Sequence, residues 1–566
     1  MQIKIDGKRV KFEEGETILN VAKRKGINIP TLCYHPDLSP KGKCRLCLVE
    51  ADGRLVTSCN TPAKEGMDIL TRSKRALEAR KLNGELLIAN GKEENEMEVM
   101  KVLKEIGVKG NHFKTPRKVT CSGRLPIEKD DRKCVLCGRC VQVCSEIQGI
   151  NNIGLMNRGV CAEATTPYNL PMLETPCTFC GQCALVCPTS ALRERALSEK
   201  LVKAMDEMGN MIGNSKFYVA QTAPSIRVSL GEMFGVPPGT LVKGKMVSAL
   251  KKMGFDAVFD TDFAADLTIM EEANEFVQRF SSGKNLPLIT SCCPAWVVMA
   301  EERYPYLLKH ISSCKSPQQM FGAVAKTYYA QKIGKPAKDI FLVSVMPCVA
   351  KKFEAQRPEM DSSGARDVDM VLTTRELGRL MKQKGIDLAK MEEGEFDRPL
   401  GISSGAGAIF GATGGVMEAA LRVAYEVITG KRLKKIDLKE VRGFEGIREA
   451  EIDIEGTKVK VAVVHTLKNI REIVESGRWK KYHFIEFMAC PGGCIGGGGQ
   501  PRPTTNEIRK KRMDALYRLD YKMKLRISSD NPDIKAIYSE FLGKPLSPKA
   551  EKLLHTKYKK RAPKYF

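Results

Sequence analysis

The 566-residue chain lacks any apolar run near the roughly 20 residues that cross a bilayer, so membrane insertion is not expected. Its opening, MQIKIDGKRVKF, has neither the apolar stretch nor the cleavage site of a secretory signal, and a cytoplasmic location is the expectation. No Gly-Lys-Ser/Thr follows the glycines of 496–499, which argues against a phosphate loop. SGAGAIFGATGG has the wrong glycine spacing for a dinucleotide fingerprint and no acidic partner, so no bound nucleotide is expected. Negative charge is also short: 92 Lys and Arg against 67 Asp and Glu leave +25. That excess alone would point to nucleic acid or an anionic surface. Anionic cofactors would offset it, so nucleic acid is not expected as a partner, and the basic tail LLHTKYKKRAPKYF reads as a solvated face.

What the chain has is cysteine, 20 in all. Four fall between residues 33 and 59, eight tightly spaced ones in two runs, 134–144 and 177–187, and five in short motifs after 290. In a long chain with repeated C-x-x-C spacing this distribution favours metal binding over disulfides.

The length suits roughly three to four domains. IKIDGKRVKF, two alternating runs about Asp6-Gly7, predicts a hairpin. ETILNVAKRKG predicts a helix ending at Gly26. Residues 73–109 read as helical and charged, the following stretch to about Asp130 as basic and irregular, and 194–210 as a charged linking helix. The remainder alternates short apolar runs with amphipathic helices, an α/β pattern. Strands are predicted at 217–221, 257–260, 286–290, 339–345, 459–465 and 483–488. Three of them end at a cysteine motif, and ligands of open α/β sheets bind beyond strand carboxyl ends. The three motifs are therefore expected to converge.

CVLCGRCVQVC and CTFCGQCALVCP are two copies of C-x2-C-x2-C-x3-C. In such a pair three cysteines of each run hold one cubane and the fourth reaches the other. One [4Fe-4S] is thus expected on Cys134, Cys137, Cys140 and Cys187, a second on Cys177, Cys180, Cys183 and Cys144; zinc or free thiols are the bland alternative. Cys33, Cys44, Cys47 and Cys59 form C-x10-C-x2-C-x11-C, which is not the plant-type spacing. With the hairpin and helix before it, the segment resembles the [2Fe-2S] module, a β-grasp domain, shared by respiratory Complex I and certain hydrogenases. Zinc remains open there, and His35 reads as a loop residue.

TSCCPAW (290–296), MPCVAKKFE (346–354) and EFMACPGGCIGGGGQP (486–501) together resemble the three signatures of [FeFe]-hydrogenases. The resemblance continues through APSIRVSLGE, TIMEEANEFVQR, SPQQMFG and SGAGAIFGATGGVMEAALR, covering about residues 210–566. It implies a two-lobed α/β catalytic domain around an H-cluster. Cys293, Cys348, Cys490 and Cys494 would hold a [4Fe-4S] cubane, with Cys494 bridging to a di-iron unit carrying carbon monoxide, cyanide and an azadithiolate. Four thiolates suffice for a cubane, so Cys292, whose side chain turns away from its neighbour's on an extended chain, is spare. The resemblance makes it the proton donor beside the metal; the alternative is a small buried hydrophobe.

The family's proton route continues at Glu272, Ser312, Glu275 and Arg279. Glu272 and Glu275, three apart on a predicted helix, share a face; without the family each reads as a solvated surface charge. Lys351 matches the lysine that bonds a cyanide ligand, and its neighbour Lys352 reads as solvated. Met346 and Met488 would line the di-iron pocket, although core packing is the ordinary role of methionine. Ala223, Pro224, Ser225 and Gln318 complete the matched pocket.

The expected domains are 1–75 for the [2Fe-2S] module, 76–128 for a helical segment, 129–195 for a two-cubane α+β ferredoxin-like module, and 208–566 for the catalytic domain with a small-subunit-like end from about 505. Related multi-cluster enzymes carry a His/Cys3-ligated cluster in the second segment. Here Gly91 stands where that histidine would be and no cysteine is present in 85–107, so that cluster is expected to be absent. Cys121, Cys161 and Cys314 read as structural or incidental. The resemblance implies H2 and protons as substrates, a ferredoxin or partner subunit for electrons, and separate maturation enzymes. A poorly active regulatory relative and an electron-transfer subunit of a Complex I-like assembly are the rival classes.

Overall fold

The computed structural model describes residues 1–89, 98–110, 112–113, 121–122, 126–195, 201, 203, 216–433 and 435–561. Contacts divide the chain into two units: 1–146 with 151–175 and 182–193, and 147–150 with 176–181 and 194–566. The expected linking helix at 194–210 and the reading at Gly91 lie largely outside the described residues.

In the first unit, Asp6 and Gly7 both take positive φ (47° and 82°), the geometry of a tight hairpin turn, and join Gln2–Ile5 to Lys8–Lys11. The hairpin enters a five-stranded sheet ordered Lys8–Lys11, Gln2–Ile5, Asp68–Leu70, Leu48–Ala51, Arg54–Thr57. Helix Ile18–Arg24 covers it. Thr17 caps its start, accepting from the Asn20 N–H, and Ile18, Leu19, Val21 and Ala22 pack into one core with Ile3, Ile5, Val49 and Ile69.

Within 73–109, read as helical, the described residues hold the helices Lys74–Ala89 and Glu98–Glu105. Gly84 explains their closeness, since a Cβ there would lie 2.8 Å from Ile106 Cδ1 and Val108 Cγ2. The stretch before Asp130, expected to be irregular, contains strands Cys121–Ser122 and Ile127–Asp130.

The second unit has two four-stranded sheets. One is wholly parallel, in the order Ala257–Asp260, Phe217–Thr222, Ile340–Met346, Met370–Thr373. Its strands are buried on both faces, which is why they read as near-continuous apolar runs. The other is ordered Leu288–Ile289, Phe484–Met488, Thr457–His465, Ile447–Ile454, with only the last strand antiparallel. Met370–Thr373 and Ile447–Ile454 were not expected from sequence.

Helix Thr261–Ser282 serves both sheets. Phe263, Ala264 and Leu267 enter the core of the first, while Ala265, Ile269, Ala273 and Phe276 enter that of the second. A helix apolar on both faces is a buried helix, and its few carboxylates are therefore held away from water.

Candidate metal centre and proton route

Three parallel strands deliver the late cysteine motifs to one place. Leu288–Ile289 leads to Cys292 and Cys293, Ile340–Met346 to Cys348, and Phe484–Met488 to Cys490 and Cys494. All five line a single cavity, with Ala223, Pro224, Gln318, Met346, Met488 and Lys351 also in its wall. Ser225 is not part of that wall; it sits behind, 3.3 Å from where a Gly411 Cβ would be. Thr261, Pro317, Phe410 and Gly411 line the cavity without having been expected.

Burial pushes the thiols of Cys348 and Cys494 up to about 12, and that of Cys490 well above its ordinary value. Each is pushed further by the others: Cys293 acts on Cys348, and both of those act on Cys490 and Cys494. Cys293 precedes helix Pro294–Arg303, and its sulfur accepts from the Ala489 N–H at 3.3 Å. Four soft donors on one cavity wall, Cys348 and Cys490 buried and Cys293 and Cys494 half-buried, fit a cluster that takes thiolates.

Glycine makes the approach possible. Gly493 has φ 89°, and a Cβ there would lie 2.7 Å from the Thr413 nitrogen and 2.9 Å from Met488 Sδ. A Cβ on Gly498 would strike the Cys180 carbonyl at 2.4 Å, so the loop carrying Cys180 and Gly181 abuts the glycine run. The glycines of 404–415 likewise serve packing, as a Cβ on Gly407 would meet the Asp262 carbonyl at 2.4 Å.

Lys351 is buried, and its Nζ donates to the Cys292 carbonyl at 3.1 Å and to both Glu354 oxygens at 3.1 and 2.9 Å. Burial works against the ammonium, but Glu354 more than offsets it and holds the pKa above its ordinary value. Glu354 was not singled out from sequence, although it ends the same motif one helical turn on; Ser316 and Gln318 also donate to it. Lys352 is not solvated: it is buried and paired with Glu376 at 2.9 Å.

Glu272, Glu275 and Ser312 are all buried, so the surface-charge alternative fails for both carboxylates. Glu275 accepts from the Ser312 hydroxyl at 2.9 Å, the Ser313 N–H at 3.1 Å and Arg279 at 2.6 Å. Arg279 in turn donates to the carbonyls of His310 and Ile311. Neither carboxyl oxygen of Glu272 has a hydrogen-bond partner among the described residues. Burial, with the Glu275 charge adding to it, pushes Glu272 up to about 8. Burial also raises the Cys292 thiol, and the Glu272 charge adds most to that effect.

In the first unit Cys134, Cys137, Cys140 and Cys187 line one cavity. The two C-x-x-C-G turns repeat each other: Leu136 and Phe179 have φ 53° and 56°, Gly138 and Gly181 80° and 74°. Cys144 and Cys183 fall in the first unit, Cys177 and Cys180 in the second. Cys33 and Cys44 exchange backbone N–H to sulfur contacts of 3.4 and 3.5 Å, and Cys47 and Cys59 form a second thiol pair.

Parallel strand ends, a buried thiol-lined cavity and cysteine runs of cubane spacing define an iron–sulfur oxidoreductase. Residues 216–498 match the C-terminal domain of the iron-only hydrogenase large subunit, and 506–561 the iron hydrogenase small subunit. Residues 1–74 match a 2Fe-2S iron–sulfur cluster binding domain and 174–193 a 4Fe-4S binding domain. The chain is 45% identical to the NADP-reducing hydrogenase subunit HndD of Solidesulfovibrio fructosivorans, covering 99% of each. It is 40% identical to iron hydrogenase 1 of Clostridium pasteurianum, over 98% of this chain and 99% of that one. A solved apo form of the [FeFe]-hydrogenase HydA1 from Chlamydomonas reinhardtii, a variant, superposes with a TM-score of 0.57 at 42% identity, spanning 64% of this chain and 99% of that one. The chain belongs to the [FeFe]-hydrogenases, oxidoreductases that interconvert H2 with protons and electrons. No helix among the described residues is long and apolar enough to cross a membrane.

Proposed function

We propose that the protein catalyses reversible H2 oxidation at an H-cluster held by Cys293, Cys348, Cys490 and Cys494, with Cys292 left unligated as the proton donor. The carrying observation is the count: five cysteines line the cavity, and a cubane takes four. When bound, the cluster with its di-iron unit, carbon monoxide, cyanide and azadithiolate, supplies the redox chemistry of H2 cleavage. The chain holds, orients and seals it. The donor set fits: thiols, a glycine cradle and the unpartnered Oε1 of Gln318 surround apolar walls. Lys351, held by Glu354, offers the ammonium that a cyanide ligand accepts from. The two sheets, each with its own core, are the two lobes.

Protons pass between Cys292 and solvent through Glu272, Ser312, Glu275 and Arg279. A carboxyl group with a pKa near 8 is well poised to hold and release a proton close to neutrality. The Ser312 hydroxyl, on Glu275, supplies the next acceptor, and Arg279, partly exposed, fixes the outer end.

Electrons travel through three accessory clusters. The two-by-two pairing of Cys33 with Cys44 and Cys47 with Cys59 suits the two irons of a [2Fe-2S] better than one tetrahedral zinc. Cys33, Cys44 and Cys137 share one apolar cluster, and the buried Arg139, whose charge is felt with those of Cys137 and Cys33, ties Tyr34 to Glu98 and Val186. That packing supports direct transfer from the [2Fe-2S] to the cubane on Cys134, Cys137, Cys140 and Cys187. A second cubane on Cys144, Cys177, Cys180 and Cys183 passes electrons to the H-cluster, in keeping with the contact of Cys180 and Gly498. Modules at 1–75, 129–195 and 208–566, a cytoplasmic location, an iron–sulfur or ferredoxin partner and dependence on maturation enzymes complete the reading; the NADP-reducing relative, named as a subunit, favours a partner subunit.

The test is anaerobic production with the maturation enzymes, followed by H2 turnover and infrared spectroscopy under H2 and CO. Carbonyl and cyanide bands with turnover support the reading; turnover-competent protein without those bands refutes it.

A further inference from the structure

We infer that Glu275, Cys314 and His555 form a site for a divalent transition-metal ion of the zinc class, and that an ion bound there closes the proton route and stops H2 turnover. The blocking part rests on the proposed role of Glu275; the binding part does not.

One ligand atom from each residue, a carboxylate oxygen, a sulfur and a ring nitrogen, lies within 4.8 Å of the other two. Glu275 Oε2 and Cys314 Sγ are 3.8 Å apart. Zinc bonds of about 2.0 to 2.3 Å place tetrahedral ligands roughly 3.3 to 3.8 Å from one another, so small side-chain shifts close the site.

The backbone fixes two of the ligands opposite each other. Cys314 and His555 form an antiparallel bridge, flanked by Lys315 N–H to Leu554 carbonyl and Thr556 N–H to Ser313 carbonyl bonds of 2.8 Å each. The imidazole is already oriented as a ligand. Its Nε2 lies 3.0 Å from Glu271 Oε2, and Glu271 is itself buried and held by the Tyr538 hydroxyl and the Leu546 N–H. A carboxylate behind one ring nitrogen is the usual support of a metal-bound histidine. The other nitrogen, Nδ1, faces the Ser313 hydroxyl at 2.8 Å, which a metal ion would displace.

Electrostatics favour a cation. Glu271, Glu272 and Glu275 all act on the Cys314 thiol, and Glu272 has both oxygens buried without a partner. Arg279 is the guanidinium that faces them, through Glu275. A dication bound to one carboxylate and one thiolate leaves no net charge, with the thiol proton released to solvent. The Ser312 hydroxyl, 2.9 Å from Glu275 Oε2, or a water can take the fourth position. The ion would then occupy the oxygen that Ser312 donates to, at the middle of the route.

The experiment titrates the matured holoenzyme with zinc ion while following H2 turnover, the infrared bands, and zinc-edge X-ray absorption, in parallel with Cys314→Ala and His555→Gln. The expected result is chelator-reversible loss of turnover with unchanged carbonyl and cyanide bands, and zinc bound by one sulfur with nitrogen and oxygen. Both variants keep their zinc-free turnover and need at least about tenfold more zinc for the same loss. Equal zinc sensitivity of both variants and wild type, or zinc bound by several sulfurs, overturns the site. Zinc bound through one sulfur with turnover intact overturns the blocking role and, with it, Glu275 as a relay.

Discussion

Glu272 and Glu275 lie one turn apart on the same buried helix, yet Glu275 accepts hydrogen bonds from Ser312, Ser313 and Arg279 while Glu272 accepts none among the described residues. The difference leaves burial to favour the protonated form of Glu272. It also sets the direction of a pH effect.

Glu272 is raised from 4.5 to about 8 by burial and by Glu275. Between those values the unfolded chain releases a proton that the folded one retains, so stability falls as pH rises through the window and levels off above it. The slope is at most about 1.4 kcal/mol per pH unit. Glu272→Gln removes this loss, and chemical unfolding at pH 5 and pH 8 shows the variant gaining on wild type at the higher pH. Its H2 turnover falls by about 10²- to 10⁴-fold, the usual weight of a positioned proton-transfer group.

Glu354→Ala leaves the Lys351 ammonium buried beside Cys292 without its counter-charge. Breaking a buried pair from one side costs about 3 to 5 kcal/mol. Unfolding midpoints report that loss, and the proposed role of Lys351 predicts a shift of the cyanide bands of the matured protein.

Gly493→Ala places a methyl group against the Thr413 nitrogen and Met488. Iron per chain drops by the amount the H-cluster carries. Gly456→Ala has nearly the same φ, 86°, with nothing within 4 Å of the added carbon. It costs about 1 to 2 kcal/mol of backbone strain and leaves the iron content unchanged.

Cys59→Ala removes a proposed [2Fe-2S] ligand. Electron paramagnetic resonance of the reduced protein loses the signal of that cluster alone, and turnover with a small reduced dye that reaches the other clusters directly is retained. Zinc in place of iron in the wild-type module contradicts the assignment.

The strand ends that deliver Cys293, Cys348 and Cys490 were readable because a strand buried on both faces is a short apolar run, and each run stops at its motif. Ile447–Ile454 was not, because Arg448 and Glu449 break the apolar alternation at its start and its outward positions are charged. Met370–Thr373 is four residues long and runs directly into a capped helix, so no period could develop. Within the site, motif residues found their places but their supports did not. Glu354 was hidden as an ordinary acidic residue, Lys352 finds Glu376 only through the fold, and Glu271 meets His555 across 284 positions. Pairings of that range are set by packing, which local spacing does not encode. Ser225 differs from its neighbours Ala223 and Pro224: it is fully buried and does not line the cavity that they line.

The account turns on Cys292 being beside the cluster and outside its ligand set. The most direct measurement compares wild type and Cys292→Ser, matured alike, by infrared spectroscopy and H2 turnover on the same samples. The carbonyl and cyanide bands are predicted in both, with turnover falling by about 10²- to 10⁴-fold in the variant only. Loss of the bands in Cys292→Ser, or turnover at the wild-type level, contradicts it.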